Sequence, residues 1–195
     1  PRDLRRGAII VFGAISLFLM LVMAVFAIDV AYMQLVRTEL RTSTDAASSA
    51  ASEALARTQS VAAARQAART VAAANTVALD PLQLADADIV FGVAQQNGNG
   101  RFNFRRVNIA DNDPNPIDRV NAVQVDGKRD NGSASGSVNL LLGGILDTPT
   151  FQPTMQTTTT AVVRDIALVL DRSGSMSGNG KIDDLKDAVN IFLGL

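Results

Sequence analysis

The chain has 195 residues and a formal net charge of −1, and it contains neither histidine nor cysteine. A protein without a basic surface to neutralise phosphates is not expected to bind nucleic acid. The lack of histidine removes the commonest general base, which excludes a Ser-His-Asp hydrolase for this stretch of sequence. Hydrophobic residues make up 47% of the chain and aromatic residues only 5%, which reflects an apolar N-terminal stretch and a large alanine content.

An uncharged apolar run begins at Gly7 and ends at Ile28, and Ser16 is its only hydroxyl residue. As a helix the run reaches about 33 Å, enough for a hydrocarbon core of about 30 Å. A core helix of a soluble protein would show a polar face, and the run is long for a cleaved signal peptide. We therefore predict a transmembrane helix over residues 7–28, retained as a membrane anchor in the lipid bilayer.

Arginines stand on both sides of this run but lie nearer to its start. Those that precede it are Arg2, Arg5 and Arg6. The positive-inside rule then favours a cytoplasmic tail at residues 1–6 and export of the rest of the chain. We expect a single-pass protein of a bacterial inner membrane, with its bulk periplasmic or surface-exposed.

Residues 29–79 are rich in alanine and contain no proline or glycine, which predicts an exported helix. Its small face includes Ala47, Ala51 and Ala54, which we take as candidate helix-packing residues. If this helix continues the membrane helix, the two form a rod of roughly 100 Å. Short polar side chains at residues 42–45 indicate the place for a break, because such side chains cap new helices.

Residues 80–165 have the pattern of a β-rich region, beginning at the helix-ending pair Asp80-Pro81. Strand-like runs alternate there with segments rich in Asn, Asp and Gly. The predicted strands cover residues 89–93, 101–104, 120–125, 138–142 and 157–163. The fold class expected for the chain is α+β, with a single transmembrane helix that continues into the alanine-rich helix, followed by this β-rich middle region.

The last segment, residues 166–195, opens with an apolar run that delivers Asp171, Ser173 and Ser175 onto a Gly-containing turn. One carboxylate and two hydroxyls that alternate along extended backbone can point the same way and suit a hard cation such as Mg²⁺ or Ca²⁺. An ordinary loop with Asp and Ser as turn residues is the alternative. The pattern resembles the metal-ion-dependent adhesion site (MIDAS) of the von Willebrand factor A (vWA) domain, which opens with D-x-S-x-S.

A helix is predicted after this turn, because apolar residues recur there at helical spacing. They are Ile182, Leu185, Val189 and Phe192. Strand, turn and helix would make the first β-α unit of a doubly wound α/β domain. A complete vWA domain needs several more units, and in that family further ligands come from later loops. We therefore expect an incomplete metal site and a longer protein, in which Mg²⁺ or Ca²⁺ binds only to the full-length form.

Several short motifs together resemble the TadG-like proteins of tight-adherence (Tad, or Flp) pilus systems, whose N-terminal segment is of the TadE/TadG type. In chain order they are Arg5-Arg6-Gly7, Ala27-Ile28-Asp29-Val30, Arg37-Thr38-Glu39-Leu40, Asp45-Ala46-Ala47, Phe91-Gly92, Asn121-Ala122-Val123 and the vWA opening. True prepilins have a Glu five residues after the processing Gly. Phe12 stands at that position after Gly7, which argues against prepilin-type cleavage.

The resemblance implies a non-enzymatic, pilin-like component or tip adhesin that works with pilus assembly proteins and has no small-molecule substrate. Cell adhesion would depend on a cation held by the vWA segment and completed by a partner's carboxylate. The alternative is a structural single-span subunit of a membrane complex or filament, packed through its N-terminal helix, with no use of the vWA site. A membrane-tethered vWA chaperone for metal insertion is a third possibility that shares only the vWA segment.

Overall fold

The computed structural model describes residues 3–114, 116, 119–161, 168–171, 173–174, 178 and 180–193. The chain divides into two compact units, an N-terminal unit (Pro1–Val163) and a C-terminal unit (Arg164–Leu195). The N-terminal unit combines a long apolar helix with a β-rich remainder, which confirms the predicted α+β class. The C-terminal unit contains one helix in its described part.

A single helix, α1 (Asp3–Thr58), runs for 56 residues, or about 84 Å. It passes without interruption through residues 42–45, so the predicted break there is wrong. The hydroxyls of Thr42 and Thr44 donate to the carbonyl oxygens of Thr38 and Leu40, at 3.0 and 2.7 Å. Because these hydroxyls bond back one turn within the helix, they do not cap a new one.

The helical stretch instead breaks at Gln59, whose φ of 50° lies in the left-handed region. Ser60 then caps the second helix, α2 (Val61–Ala74), by accepting a hydrogen bond from the Ala63 N–H at 3.2 Å. The chain has turned back by the end of α2, since the Ala78 N–H donates to the Glu39 carboxylate at 2.8 Å. The rod of roughly 100 Å, expected if residues 29–79 continue the membrane helix to their end, is therefore not formed, because these residues make a helical hairpin.

Eight strands follow α2 in the described part of the chain, and most of the predicted strands are present. The strands are β1 (Thr76–Val77), β2 (Asp80–Pro81), β3 (Ile89–Gln96), β4 (Phe102–Arg106), β5 (Ala122–Lys128), β6 (Val138–Asn139), β7 (Thr150–Phe151) and β8 (Thr154–Thr160). The predicted strand at 138–142 is reduced to two residues, because the chain leaves the ladder after Asn139. The predicted end of the last strand, residues 162–163, lies outside the described residues.

The main sheet has four antiparallel strands in the order β4-β3-β5-β8. Two smaller antiparallel pairs, β1 with β2 and β6 with β7, lie beside it. In β3 and β5 the register places Ile89 opposite Val125 and Phe91 opposite Val123, so apolar side chains of neighbouring strands lie together. One face of this sheet packs against the second half of α1, while alternate residues of β8 face solvent.

The core of the N-terminal unit lies between the helical hairpin and the sheet. The helices contribute mostly alanines, which let backbones approach closely, and the strands contribute larger aliphatic residues. Its most buried members include Leu40, Ala47, Ala51, Leu55, Ala64, Ala68, Phe91, Val123 and Val125. The alanine-rich sequence is therefore used to pack one helix of this chain on the other.

In the C-terminal unit, α3 (Lys181–Leu193) is present as predicted. Ile182, Leu185 and Val189 are half-buried on one of its faces, and Leu170 lines an open apolar cleft with them. Residues 168–170 are not in a strand, and 166–167 of the predicted strand lie outside the described residues. A strand requires a partner for its backbone groups, and the described part of this unit supplies none.

Candidate functional site

The first half of α1 presents an apolar surface that nothing in the described chain covers. Ile9, Phe12 and Phe18 are 71%, 73% and 65% exposed, and Ile28 at the end of the run is 48% exposed. A window of this helix has a mean hydropathy of 2.9 with only 6% of it buried. By length and composition the helix is able to cross a membrane. Gly7 lies in its first turns.

The second half of α1 carries short polar side chains that are buried against the sheet. The Ser48 hydroxyl, fully buried, lies 3.2 Å from the Val123 carbonyl oxygen and 2.8 Å from the Thr159 hydroxyl. The Thr157 hydroxyl donates to the Asp45 carboxylate at 2.6 Å. Because each pair joins α1 to β5 or β8, these bonds fix the register between the helix and the sheet.

Asp29 begins the part of α1 that is covered by the chain. It directly follows Ile28, and only 3% of its surface is exposed. One carboxylate oxygen accepts a hydrogen bond from the Leu142 N–H at 3.1 Å. The other oxygen has no hydrogen-bond partner among the residues that the structure describes. Asp29 therefore attaches the loop after β6 to the point where the exposed apolar run ends.

The three candidate helix-packing residues lie inside the N-terminal unit. Ala47 and Ala51 are completely buried, and Ala54 is 7% exposed. They belong to the same core as the buried alanines of α2. A larger side chain at any of them would therefore disturb the fold of this chain before it affected contact with a partner.

Two of the three candidate metal ligands are described, and they contact each other. The Ser173 N–H donates to one oxygen of Asp171 at 2.8 Å, and the Ser173 hydroxyl donates to the other at 3.1 Å. These two hydrogen bonds, the backbone one first, lower the pKa of the exposed Asp171 carboxyl below its ordinary value of 3.8. Ser175, the third candidate, lies outside the described residues.

The chemistry of this turn is compatible with a hard cation. Mg²⁺ and Ca²⁺ prefer carboxylate and hydroxyl oxygens, and the turn offers one of each. The Ser173 hydroxyl would have to exchange its hydrogen bond to Asp171 for a bond to the ion. Within the described ranges, no group of three or more acidic, histidine or cysteine residues is placed to hold a metal. Asp171 would therefore need ligands from elsewhere.

The sequence interpretation did not identify the roles of Asp29 and Ser48. Asp29 was recognised only as part of a motif at the end of the apolar run, and its partner Leu142 is more than a hundred residues away in sequence. Ser48 has no signal beyond its position among alanines. A polar residue at helical spacing within a small apolar face is the pattern that could have indicated a buried, bonded hydroxyl.

A family model described as "putative Flp pilus-assembly TadE/G-like" matches residues 7–53. The matched stretch lies within α1 and includes both its exposed apolar half and most of the half that packs on the sheet. The match supports a Tad-type pilus assembly protein, and with the apolar helix it fits a membrane-anchored one. It does not extend to the C-terminal unit. Neither the curated proteins nor the solved structures contain a match to this chain.

Proposed function

We propose that this chain is a membrane-anchored, pilin-like component of Tad (Flp) pilus assembly that acts by binding and not by catalysis. One observation carries the proposal: a single unbroken helix has an exposed apolar first half and a second half built into an α+β domain. The family match falls on this same helix. A rigid connection of this kind transmits the position of the membrane segment directly to the exported domain.

The proposed orientation places the N-terminus in the cytoplasm and the folded domain outside the inner membrane. The cluster Arg2, Arg5 and Arg6 supports it, since basic residues are retained on the cytoplasmic side. The partners would then be other pilus assembly proteins in or beyond that membrane. The exposed apolar half of α1 offers the surface for helix–helix contact within the bilayer, where association depends on close packing.

The finer part of the proposal concerns adhesion. Asp171, Ser173 and Ser175 would be the first ligands of a Mg²⁺ or Ca²⁺ ion in a vWA module, and a partner's carboxylate would complete the shell. The D-x-S-x-S spacing, the contact between Asp171 and Ser173, and the helix α3 that follows support this reading. The ion, when bound, would supply the positive charge that attracts that carboxylate.

A deletion strain complemented with variants of the full-length gene tests the proposal. Replacing Leu17, Phe18 and Leu19 together by Asp places three charges in the exposed apolar run, so we expect the loss of both membrane insertion and surface pili. Asp171→Ala should leave pili at the wild-type level and reduce surface attachment. Asp183→Ala, on the exposed surface of α3, is the matched control and should change neither. Normal piliation with the triple Asp variant would contradict the proposed anchor.

A structural single-span subunit is the second candidate, and it is favoured by the exposed apolar half of α1, which no other described part of the chain covers. A Cβ added at Gly13 would meet nothing within 4 Å in this chain, so the helix alone tolerates a larger residue there. Gly13→Leu should therefore preserve insertion and folding. If Gly13→Leu abolishes assembly while Asp171→Ala leaves attachment unchanged, the protein works through its membrane helix. The adhesion hypothesis then fails.

A further inference from the structure

The chain between β6 and β7 contains an apolar loop that belongs to neither strand pair. This leucine loop (residues 140–144) has the sequence Leu140-Leu141-Leu142-Gly143-Gly144 and no polar side chain. Leu141 is 63% exposed, although it belongs to the folded domain that packs on α1. A single exposed leucine is ordinary on a protein surface, so what distinguishes Leu141 is its place beside Leu142, which is bonded to Asp29 at the end of the exposed apolar run.

The leucine loop has a defined conformation. The Thr148 N–H donates to the Gly143 carbonyl oxygen and the Leu140 N–H donates to the Pro149 carbonyl oxygen, both at 2.9 Å. A Cβ at Gly143 would overlap the Thr148 carbonyl oxygen, so only glycine fits this turn. The exposure of Leu141 is thus imposed by the fold of the loop and does not require a mobile segment.

Two contacts place the leucine loop at the membrane end of the folded domain. The Leu142 N–H is bonded to Asp29, the residue after the exposed apolar run. In the following strand the Phe151 ring lies 5.2 Å from the Arg37 guanidinium, about 12 Å farther along α1. The leucine loop therefore lies closer to the apolar run than β7 does.

The position of Asp29 gives the depth of the leucine loop. An apolar helical run of residues 7–28 fills the hydrocarbon core, so Asp29 lies where the core meets the headgroups. Side chains on a helix tilt towards its N-terminus, which directs the Asp29 carboxylate, and the backbone bonded to it, towards the bilayer. Leu141 is the neighbour of the bonded residue, within about 4 Å along the backbone.

We propose that the leucine loop inserts Leu141 into the interface of the bilayer and makes a second membrane contact beside the transmembrane helix. The occupant of this surface is lipid. Leu141 lies at the same depth along the membrane normal as the end of the apolar run, and that run itself requires lipid. The inference rests on the proposed membrane anchor. Its consequence is mechanical: a helix alone leaves a domain free to tilt, whereas two contacts fix its orientation to the membrane plane.

The absence of tryptophan from the chain makes a direct test possible. Three single-tryptophan variants replace side chains of nearly equal exposure: Phe18→Trp in the apolar run, Leu141→Trp in the leucine loop and Phe102→Trp in β4, with exposures of 65%, 63% and 64%. Phe102 pairs with Gln96 at the end of the sheet that is remote from Asp29. Each variant is made in the 195-residue chain, where the introduced tryptophan is the only one, and is reconstituted in phosphatidylcholine vesicles with or without brominated acyl chains.

We expect brominated lipid to quench Phe18→Trp strongly and to reduce the emission of Leu141→Trp by about half, since interfacial side chains reach the acyl boundary. Phe102→Trp should keep its emission. If Phe18→Trp is not quenched, the proposed anchor itself fails. If Phe18→Trp is quenched but Leu141→Trp keeps its emission as Phe102→Trp does, the inference is overturned. The same result is expected if another protein, and not lipid, covers Leu141, so that alternative also overturns it.

Two further variants separate the position of the loop from the presence of a tryptophan. Asp29→Ala in the Leu141→Trp background removes the acceptor for the Leu142 N–H and should reduce the quenching, whereas Asp29→Asn retains an acceptor oxygen and should preserve it. Unchanged quenching with Asp29→Ala would contradict the role of Asp29. Should Leu141→Trp fail to fold, a nitroxide on Leu141→Cys replaces it, and collisions with dissolved oxygen at the lipid level are then the expected result.

Discussion

Gly127 of β5 lies directly against Thr44 of α1, and a Cβ built on Gly127 would overlap the Thr44 hydroxyl. The same added atom would lie 3.2 Å from a methyl carbon of Leu40. At this point β5 therefore presents bare backbone to the side chains of α1, and no room remains for a side chain on the strand. The Thr44 hydroxyl is bonded to the Leu40 carbonyl oxygen within the helix at 2.7 Å, and moving it aside would break that bond.

Gly127→Ala should destabilise the N-terminal unit by about 1–3 kcal/mol, because the added methyl group forces α1 away from β5. The measurement is urea or thermal unfolding of the full chain in detergent or nanodiscs. Gly98→Ala is the control, since a Cβ there meets nothing within 4 Å, and its stability should stay close to the wild type. Equal effects of the two substitutions would mean that the helix and the sheet are not in close contact at Gly127.

Ala51→Leu should also destabilise the fold by about 1–3 kcal/mol, because three added carbon atoms enter a fully packed core. Ala62→Leu makes the same change at an exposed position of α2 and should be close to neutral. The two variants are compared by unfolding and by the amount of folded protein in membranes. An assembly defect with Ala51→Leu at unchanged stability would instead place this alanine in contact with a partner.

Stability should fall at alkaline pH as Lys128 loses its proton. Its hydrogen bond to Asp88, at 2.9 Å, raises the pKa of Lys128 above its ordinary value of 10.5, while burial opposes the shift and Asp88, Asp126 and Asp130 add attraction. A raised pKa means that this stabilisation is complete below pH 10.5 and is lost as the pH rises through the pKa of the folded state.

Unfolding followed from pH 9 to 12 checks this sign. Lys128→Met should flatten the alkaline decline in stability, and Asp88→Asn should flatten it to a similar degree. The double variant should resemble either single one, because both remove the same pair. A wild-type decline that survives in all three variants would assign it to other groups.

Carboxyl NMR of Asp171 should give a pKa below 3.8, the ordinary value, because two hydrogen bonds from Ser173 stabilise the carboxylate. Ser173→Ala removes the hydroxyl and keeps the N–H, so the pKa should return only part of the way. Ser173→Pro removes the N–H as well and should return it further. If Ser173→Ala leaves the pKa unchanged, the hydrogen bond from the Ser173 hydroxyl does not exist in solution, and if Ser173→Pro also leaves it unchanged, neither does the bond from the N–H.

The sequence was informative where structure is determined locally. The uncharged apolar run indicated the first half of α1, apolar periodicity located α3, and segments rich in Asn, Asp and Gly marked the boundaries between β3, β4 and β5. The predicted helix break at residues 42–45 is wrong because the hydroxyls of Thr42 and Thr44 bond to carbonyl oxygens within the helix. The break lies at Gln59, whose left-handed conformation is not one that a glutamine side chain predicts. Local preference yields to tertiary packing at such positions.

The contacts that join α1 to the rest of the N-terminal unit link residues far apart in sequence. They could not be derived from the periodicity or composition of the sequence. Asp29 meets Leu142, and Ser48 meets Thr159, across more than a hundred residues in each case. The apolar pattern predicts a strand at residues 140–142, where the structure has a loop, because a short apolar run alone does not distinguish the two. Their placement depends on the turn at Gly143, which only the folded chain reveals.

The most direct test of the whole account is the side of the membrane on which the folded domain lies. The chain has no cysteine, so Phe102→Cys provides a single exposed thiol, and Phe18→Cys provides one in the apolar run. Spheroplasts are treated with a membrane-impermeant maleimide before and after lysis. The account predicts that Phe102→Cys is labelled fully in intact spheroplasts and that Phe18→Cys is labelled only after detergent. Labelling of Phe102→Cys that appears only on lysis would contradict an anchored, exported pilus component.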